Sequence, residues 1–151
     1  MKLIYLDNAA TTKLAQEVAD AMVPVLCEVY GNPSSSHAIG RKAKALVETS
    51  RRDIATCLGC EPRSIIFTSG GTEADNLALR AAVKDLGCKR IVTSKAEHSA
   101  VIESAEKMAN LFEVEVVYVN HHSDGMVDCE HLKSILASGP QTLVSLMHAN
   151  N

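Results

Sequence analysis

The sequence contains no tryptophan, only two phenylalanines and only three tyrosines. A core in this chain has to be assembled from Val, Ile, Leu, Ala and Met. Such a core suits a buried parallel sheet flanked by helices better than an aromatic-rich sandwich. Long apolar runs are also missing. Nothing approaches the roughly 18 consecutive apolar residues that a membrane-crossing helix needs, and the stretch at residues 1–7 is too short in apolar residues for a secretory signal. There is no basic excess: the formal net charge is −3, which speaks against a partner rich in phosphate such as nucleic acid. Internal repeats and low-complexity tracts are absent as well. What remains is a chain of 151 residues, 46% hydrophobic, the size of one domain and too apolar for disorder.

Five cysteines are present: Cys27, Cys57, Cys60, Cys88 and Cys129. An odd count without an export signal points to a reducing cytoplasm and free thiols. Cys57-Leu-Gly-Cys60 has the spacing of a redox pair or half a zinc site. No second such pair stands at zinc spacing, and Cys57 falls on the apolar side of a helical pattern, so small buried cysteines are the simpler expectation and no metal is expected.

After a short extended Leu3–Leu6, residues 7–12 form a turn-rich polar segment. Apolar residues at 14, 18, 22, 25, 26 and 29 predict a helix over Leu14–Tyr30, with Pro24 as a candidate kink. The turn formers of Gly31-Asn-Pro-Ser-Ser-Ser36 predict a loop. A second helix is predicted from His37 to Leu58, with Ile39, Ala43, Leu46, Val47, Ile54 and Leu58 on its buried side and Gly59 as terminator. Its basic residues, Arg41, Lys42, Lys44, Arg51 and Arg52, read as a solvated stripe. From residue 65 the rhythm alternates. Strands are predicted at Ile65–Thr68, Ile91–Ser94, Val114–Val119 and Thr142–Met147, and helices at Thr72–Leu86, Ser99–Leu111 and Glu130–Ala137. Short joints between alternating strands and helices indicate βαβ crossovers, hence an α/β fold with a mostly parallel sheet.

The strongest chemical feature is Ile65-Ile-Phe-Thr-Ser-Gly-Gly-Thr72, a run leading through glycines into a helix start. Free amides at a helix N-terminus bind phosphate. The pattern matches neither the nucleotide P-loop nor the dinucleotide fingerprint. It also fits a plain helix cap, with Thr72 and Asp75 spaced as a capping box. His98 follows a predicted strand directly and so lies at the carboxyl rim of the sheet, where open α/β sheets bind ligands. There it could move protons or stack on an aromatic cofactor; an ordinary loop histidine is the plainer alternative. Asn150 and Asn151 follow the last predicted strand and bring amide donors to the same rim.

Together, Tyr5-Leu-Asp-Asn-Ala-Ala-Thr-Thr12, Gly31-Asn-Pro-Ser-Ser35 with His37, Ile66-Phe-Thr-Ser-Gly-Gly-Thr-Glu-Ala-Asp-Asn76, Glu97-His98 and Ser145-Leu-Met-His-Ala-Asn-Asn151 resemble the cysteine desulfurases. These form part of the class-V branch of the fold-type I pyridoxal-phosphate enzymes. The resemblance runs in register along the whole chain. It implies that residues 1–151 form the N-terminal part of a longer catalytic domain, an incomplete large domain opened by the segment 1–12.

The resemblance also implies roles. Gly71 and Thr72 occupy the turn that holds the cofactor phosphate, although many relatives have Ala at the position of Gly71. His98 matches the histidine that stacks on the pyridine ring and helps proton transfer. Asn151 matches the asparagine that bonds near the cofactor's phenolic oxygen. The covalent lysine, the pyridinium-partner aspartate and the persulfide cysteine of the family lie beyond residue 151, and neither Lys95 nor any of the five cysteines matches them. The implied activity removes sulfur from L-cysteine, giving L-alanine and an enzyme persulfide for a sulfur-acceptor protein in iron–sulfur cluster assembly. The implied enzyme is a cytoplasmic homodimer. This chain alone, without the lysine, is expected to bind the cofactor weakly and to be inactive. A selenocysteine lyase, another class-V enzyme and an inactive fragment are the alternatives. In this fold type the first strand of the large domain lies apart from the next three, so Ile65–Thr68 is expected to lack sheet neighbours here.

Overall fold

A computed structural model of the chain describes residues 4–8 and 10–148. They fall into two compact units divided between Phe67 and Thr68.

The first unit holds helix α1 (Gln16–Glu28), helix α2 (Ala38–Leu58) and a single 3-10 turn at Pro62–Ser64. The loop before α2 is drawn tightly onto the helix start. Asn32 accepts from the amides of Ser34 and Ser35, and the Nδ1 of His37 caps the helix by accepting from the Gly40 amide at 3.3 Å. A Cβ at Gly40 would stand 2.5 Å from the Ser35 carbonyl oxygen, so only glycine permits this approach. At the other end Gly59 takes the left-handed conformation (φ 65°), and the amides of Gly59 and Cys60 close onto Thr56 and Ala55. That is a glycine C-terminal stop.

The second unit is the α/β part: α3 (Gly71–Lys84), β1 (Arg90–Ser94), α4 (Ser99–Phe112), β2 (Glu115–Val119), α5 (Cys129–Leu136) and β3 (Thr142–Val144). The sheet has the order β2-β1-β3, and both pairings are parallel. Arg90 faces Glu115 and Thr142, and Val92 faces Val117 and Val144. Parallel neighbours need long crossovers, and α4 and α5 lie within them. β1 is the central strand, and Ile91, Val92, Thr93 and Ser94 are at most 1% exposed. Leu79 and Val83 of α3, Val101, Ala105 and Met108 of α4, Ile91 and Val114 form one apolar cluster. At the amino edge of the sheet Arg90 ties three elements together. Its Nε pairs with Glu115 at 2.6 Å, and its Nη1 donates to the carbonyls of Ile135 and Ser138 at 3.1 Å.

The α/β alternation is therefore present, with differences from the sequence pattern. Ile65–Thr68 lacks sheet neighbours, as expected, but it also forms no strand; Ile66 and Phe67 remain 67% and 47% exposed. No residue of α1 is buried, and of the stripe predicted for α2 only Ala43 is buried, beside Gly40 and Ala55. Amphipathic spacing shows that a helix has an apolar face without saying what covers it. Arg51 is no simple surface charge. Its guanidinium donates to the Ile65 carbonyl and lies 4.8 Å from the centre of the Phe67 ring, a cation–π arrangement. Cysteines 27, 57, 60 and 129 are exposed free thiols and only Cys88 is buried, because Cys57 and Cys60 flank the exposed end of α2. Among the described residues no helix is long and apolar enough to cross a membrane.

Candidate functional site

The turn entering α3 is where the sequence places a phosphate. Gly70 precedes the helix, and the first amide bonded within it is that of Ala74, to the Gly70 carbonyl. Among the described residues the amides of Gly71, Thr72 and Glu73 are thus the unpaired donors of a helix N-terminus. The cap is not the Thr72–Asp75 box read from spacing. Glu73 instead folds back, its Oε2 accepting from the Ser69 amide at 2.6 Å and the Ser69 hydroxyl at 2.7 Å. The Ser69 amide, and then its hydroxyl, hold the Glu73 carboxyl below its ordinary range. The Glu73 charge is thereby engaged with the preceding loop. A Cβ on Gly70 or Gly71 would meet nothing within 4 Å, so alanine at position 71 would fit the open turn equally well.

His98 sits in the loop that leaves the carboxyl end of β1. It is exposed and is the N-cap of α4, its Nδ1 accepting from the Ala100 amide at 3.1 Å. An accepting Nδ1 carries no proton, which leaves Nε2 as the nitrogen available to a ligand. Thr72 and Asn76 share a cleft of about 230 Å³ with Ala100, Glu103, Ser104 and Lys107. The open start of α3 and the helix capped by His98 therefore stand side by side. The amides at the start of α3 and the Thr72 hydroxyl suit a phosphate monoester, the anionic end of a phosphorylated cofactor, and the cleft brings one carboxylate, Glu103, beside one ammonium, Lys107.

Glu97, beside His98, stands in one of the family motifs but carries no role there. Glu97 is 9% exposed, and its Oε1 accepts from the Met147 amide at 2.7 Å across fifty positions of sequence. The Ser94 hydroxyl lies 3.5 Å from the same oxygen and accepts from the Ala96 amide. The only signal in the sequence is an acid immediately before a rim histidine. Ser94, Glu97, His121, Met147 and His148 line a second cleft, about 150 Å³, at the carboxyl end of the sheet. Lys95, in the same loop, places its ammonium 5.8 Å from the centre of the Tyr118 ring. Burial, followed by the Glu106 charge, raises the Tyr118 hydroxyl above its ordinary range. Asn150 and Asn151 lie outside the described residues. Among the described residues no group of three His, Cys, Asp or Glu could hold a metal ion.

Comparison with known proteins gives a consistent set of likenesses. The profile of the aminotransferase class-V family matches residues 4–151. The cysteine desulfurase IscS of Dictyoglomus turgidum is 44% identical over 150 residues, covering 98% of this chain and 38% of that protein. A solved NifS-like protein superposes with a TM-score of 0.81 at 36% identity, over 95% of this chain and 39% of the other. SspA, solved in complex with cysteine, gives 0.81 at 30% identity, over 94% and 41%. The chain spans a little over a third of the length of the curated relatives it matches.

Proposed function

The chain belongs to the aminotransferase class-V family, and from that premise we propose that it supplies the N-terminal part of the catalytic domain of a pyridoxal-phosphate-dependent cysteine desulfurase. The complete enzyme converts L-cysteine to L-alanine and retains the sulfur as a persulfide for an acceptor protein. We place it in the cytoplasm as a homodimer. The observation that carries this reading is the unpaired start of α3 sharing a cleft with the first turns of α4, the helix capped by His98.

In this reading the amides of Gly71 and Thr72 and the Thr72 hydroxyl hold the cofactor phosphate. The amides are fixed by the helix, so they need no reorganisation to accept an anion. When bound, pyridoxal phosphate supplies the electron sink for breaking the carbon–sulfur bond. His98 orients the ring and moves protons through Nε2, because Nδ1 is committed to the helix cap. Asn151 is assigned to the phenolic side of the cofactor from its place in the sequence.

The test is turnover of L-cysteine by the complete enzyme loaded with pyridoxal phosphate, in the presence of a dithiol. Alanine and sulfide are expected in equal amounts. No alanine overturns the reading, and turnover of selenocysteine without cysteine assigns the chain to a selenocysteine lyase instead.

A further inference from the structure

We infer that Glu97 is a positioning residue, whose side chain locks the segment following β3 onto the loop that carries His98. The inference rests on the proposed function for its catalytic consequence, while its structural half stands on the geometry alone.

The β1–β3 ladder pairs Arg90 with Thr142, Ile91 with Leu143 and Val92 with Val144. It runs one bond further, from the Ser145 amide to the Val92 carbonyl at 2.9 Å. Beyond that point β1 ends at Ser94 and the chain turns into the loop 95–98, and the next amide along this edge, that of Met147, bonds to a side chain rather than to the β1 backbone. Glu97 replaces it: a carboxylate oxygen accepts from the Met147 amide at 2.7 Å. Charge-assisted bonds of this length are the strong ones, and at 9% exposure water competes little for the carboxylate. The Ser94 hydroxyl, which receives the Ala96 amide and lies 3.5 Å from Glu97, closes the loop around the acid. His98 is the next residue, and its own Nδ1 is anchored to α4. Met147 and His148 lead in sequence to Asn150 and Asn151. One carboxylate thus sets the separation between the loop bearing the proposed proton carrier and the chain entering the proposed amide donors. Displacing a site group by about 1 Å can cost on the order of a hundredfold in rate.

Three substitutions in the complete enzyme separate reach from charge. Glu97→Gln keeps an acceptor oxygen at the same distance, Glu97→Asp keeps the charge and shortens the reach, and Glu97→Ala removes both. Amide hydrogen exchange at Met147 is expected to quicken by about tenfold or more in Glu97→Asp and Glu97→Ala, and to stay within about threefold in Glu97→Gln. Exchange at Ile91 and Val92 in β1 is expected to stay unchanged. With cofactor and L-cysteine, kcat is expected to fall about tenfold or more in Glu97→Asp with KM nearly constant, and Glu97→Gln is expected to restore it. The inference is overturned if Met147 exchange is indifferent to Glu97→Asp, if Glu97→Gln behaves like Glu97→Asp, or if the β1 amides quicken as much as Met147. If Glu97→Ala fails to fold, the Asp and Gln variants decide by the same readings. Should the unsubstituted enzyme not consume cysteine, the desulfurase reading fails, and the exchange data still decide whether Glu97 fixes the segment.

Discussion

His98 has one observed role and one proposed role, which a substitution to alanine would confuse. Its Nδ1 caps α4, and loss of an N-cap costs about 1 kcal/mol; its Nε2 is the nitrogen assigned to the cofactor. Asparagine is among the best N-caps and has no imidazole. His98→Asn is therefore expected to unfold within about 0.5 kcal/mol of the parent while cysteine turnover falls at least about a hundredfold. Denaturant melts beside steady-state rates check it, and equal turnover in the two proteins would refute the role of His98. Glu73 offers a second test at this scale. Its carboxyl is held low by the Ser69 amide and hydroxyl, so the bond contributes while Glu73 is ionised, above the ordinary range near about 4.3. The contribution is lost as pH falls through the lower folded value. The Ser69 amide is expected to be protected from exchange at neutral pH and to lose that protection in acid, whereas Glu73→Gln should weaken it at neutral pH and remove its dependence on pH.

At the scale of elements, the pairing of α3 with α4 carries the second unit. Leu79 is 2% exposed and sits in the cluster with Val83, Val101, Ala105, Met108 and Ile91. Leu79→Ala is expected to destabilise by about 2–5 kcal/mol, the range for large-to-small changes in a packed core, measured by chemical denaturation. These helices were legible in the sequence because glycines bracket α3 and the apolar spacing of both has one period, whereas the capping by His98 is seen only in the structure. β1 and β2 were legible as short Val- and Ile-rich runs. Ile65–Thr68 looks the same by composition, yet a strand requires a neighbour and none of the described residues provides one. β3 is three residues long, shorter than its apolar run through Met147, because the chain leaves the ladder and hands its next amide to Glu97. That handover depends on two positions fifty residues apart, which no local pattern encodes. The helix start at the proposed phosphate turn was legible from its glycines, whereas its cap was not: Ser69 and Glu73 compete with Thr72 and Asp75 by geometry alone.

Considered as a whole, the chain leaves part of its apolar surface uncovered. Ile66 and Phe67 lie on an extended segment with no sheet partner and are largely exposed. Unpaired extended backbone with apolar side chains is a template for association. Ile66→Lys in the 151-residue chain is expected to lower self-association at micromolar concentration, as read by light scattering; unchanged scattering would show that this segment is not the sticky surface. The family profile covers nearly all of the chain, although the chain covers only about 38% of its Dictyoglomus relative. The bond from Met147 to Glu97 also has a consequence in time. During synthesis β1 and β2 can pair once residue 119 has left the ribosome, since the contacts between them are all upstream of that point. The loop beside His98 receives its fastener only after Met147 has been added and has emerged. The β1–β2 pair is then already in place, and the loop beside His98 is tightened after it.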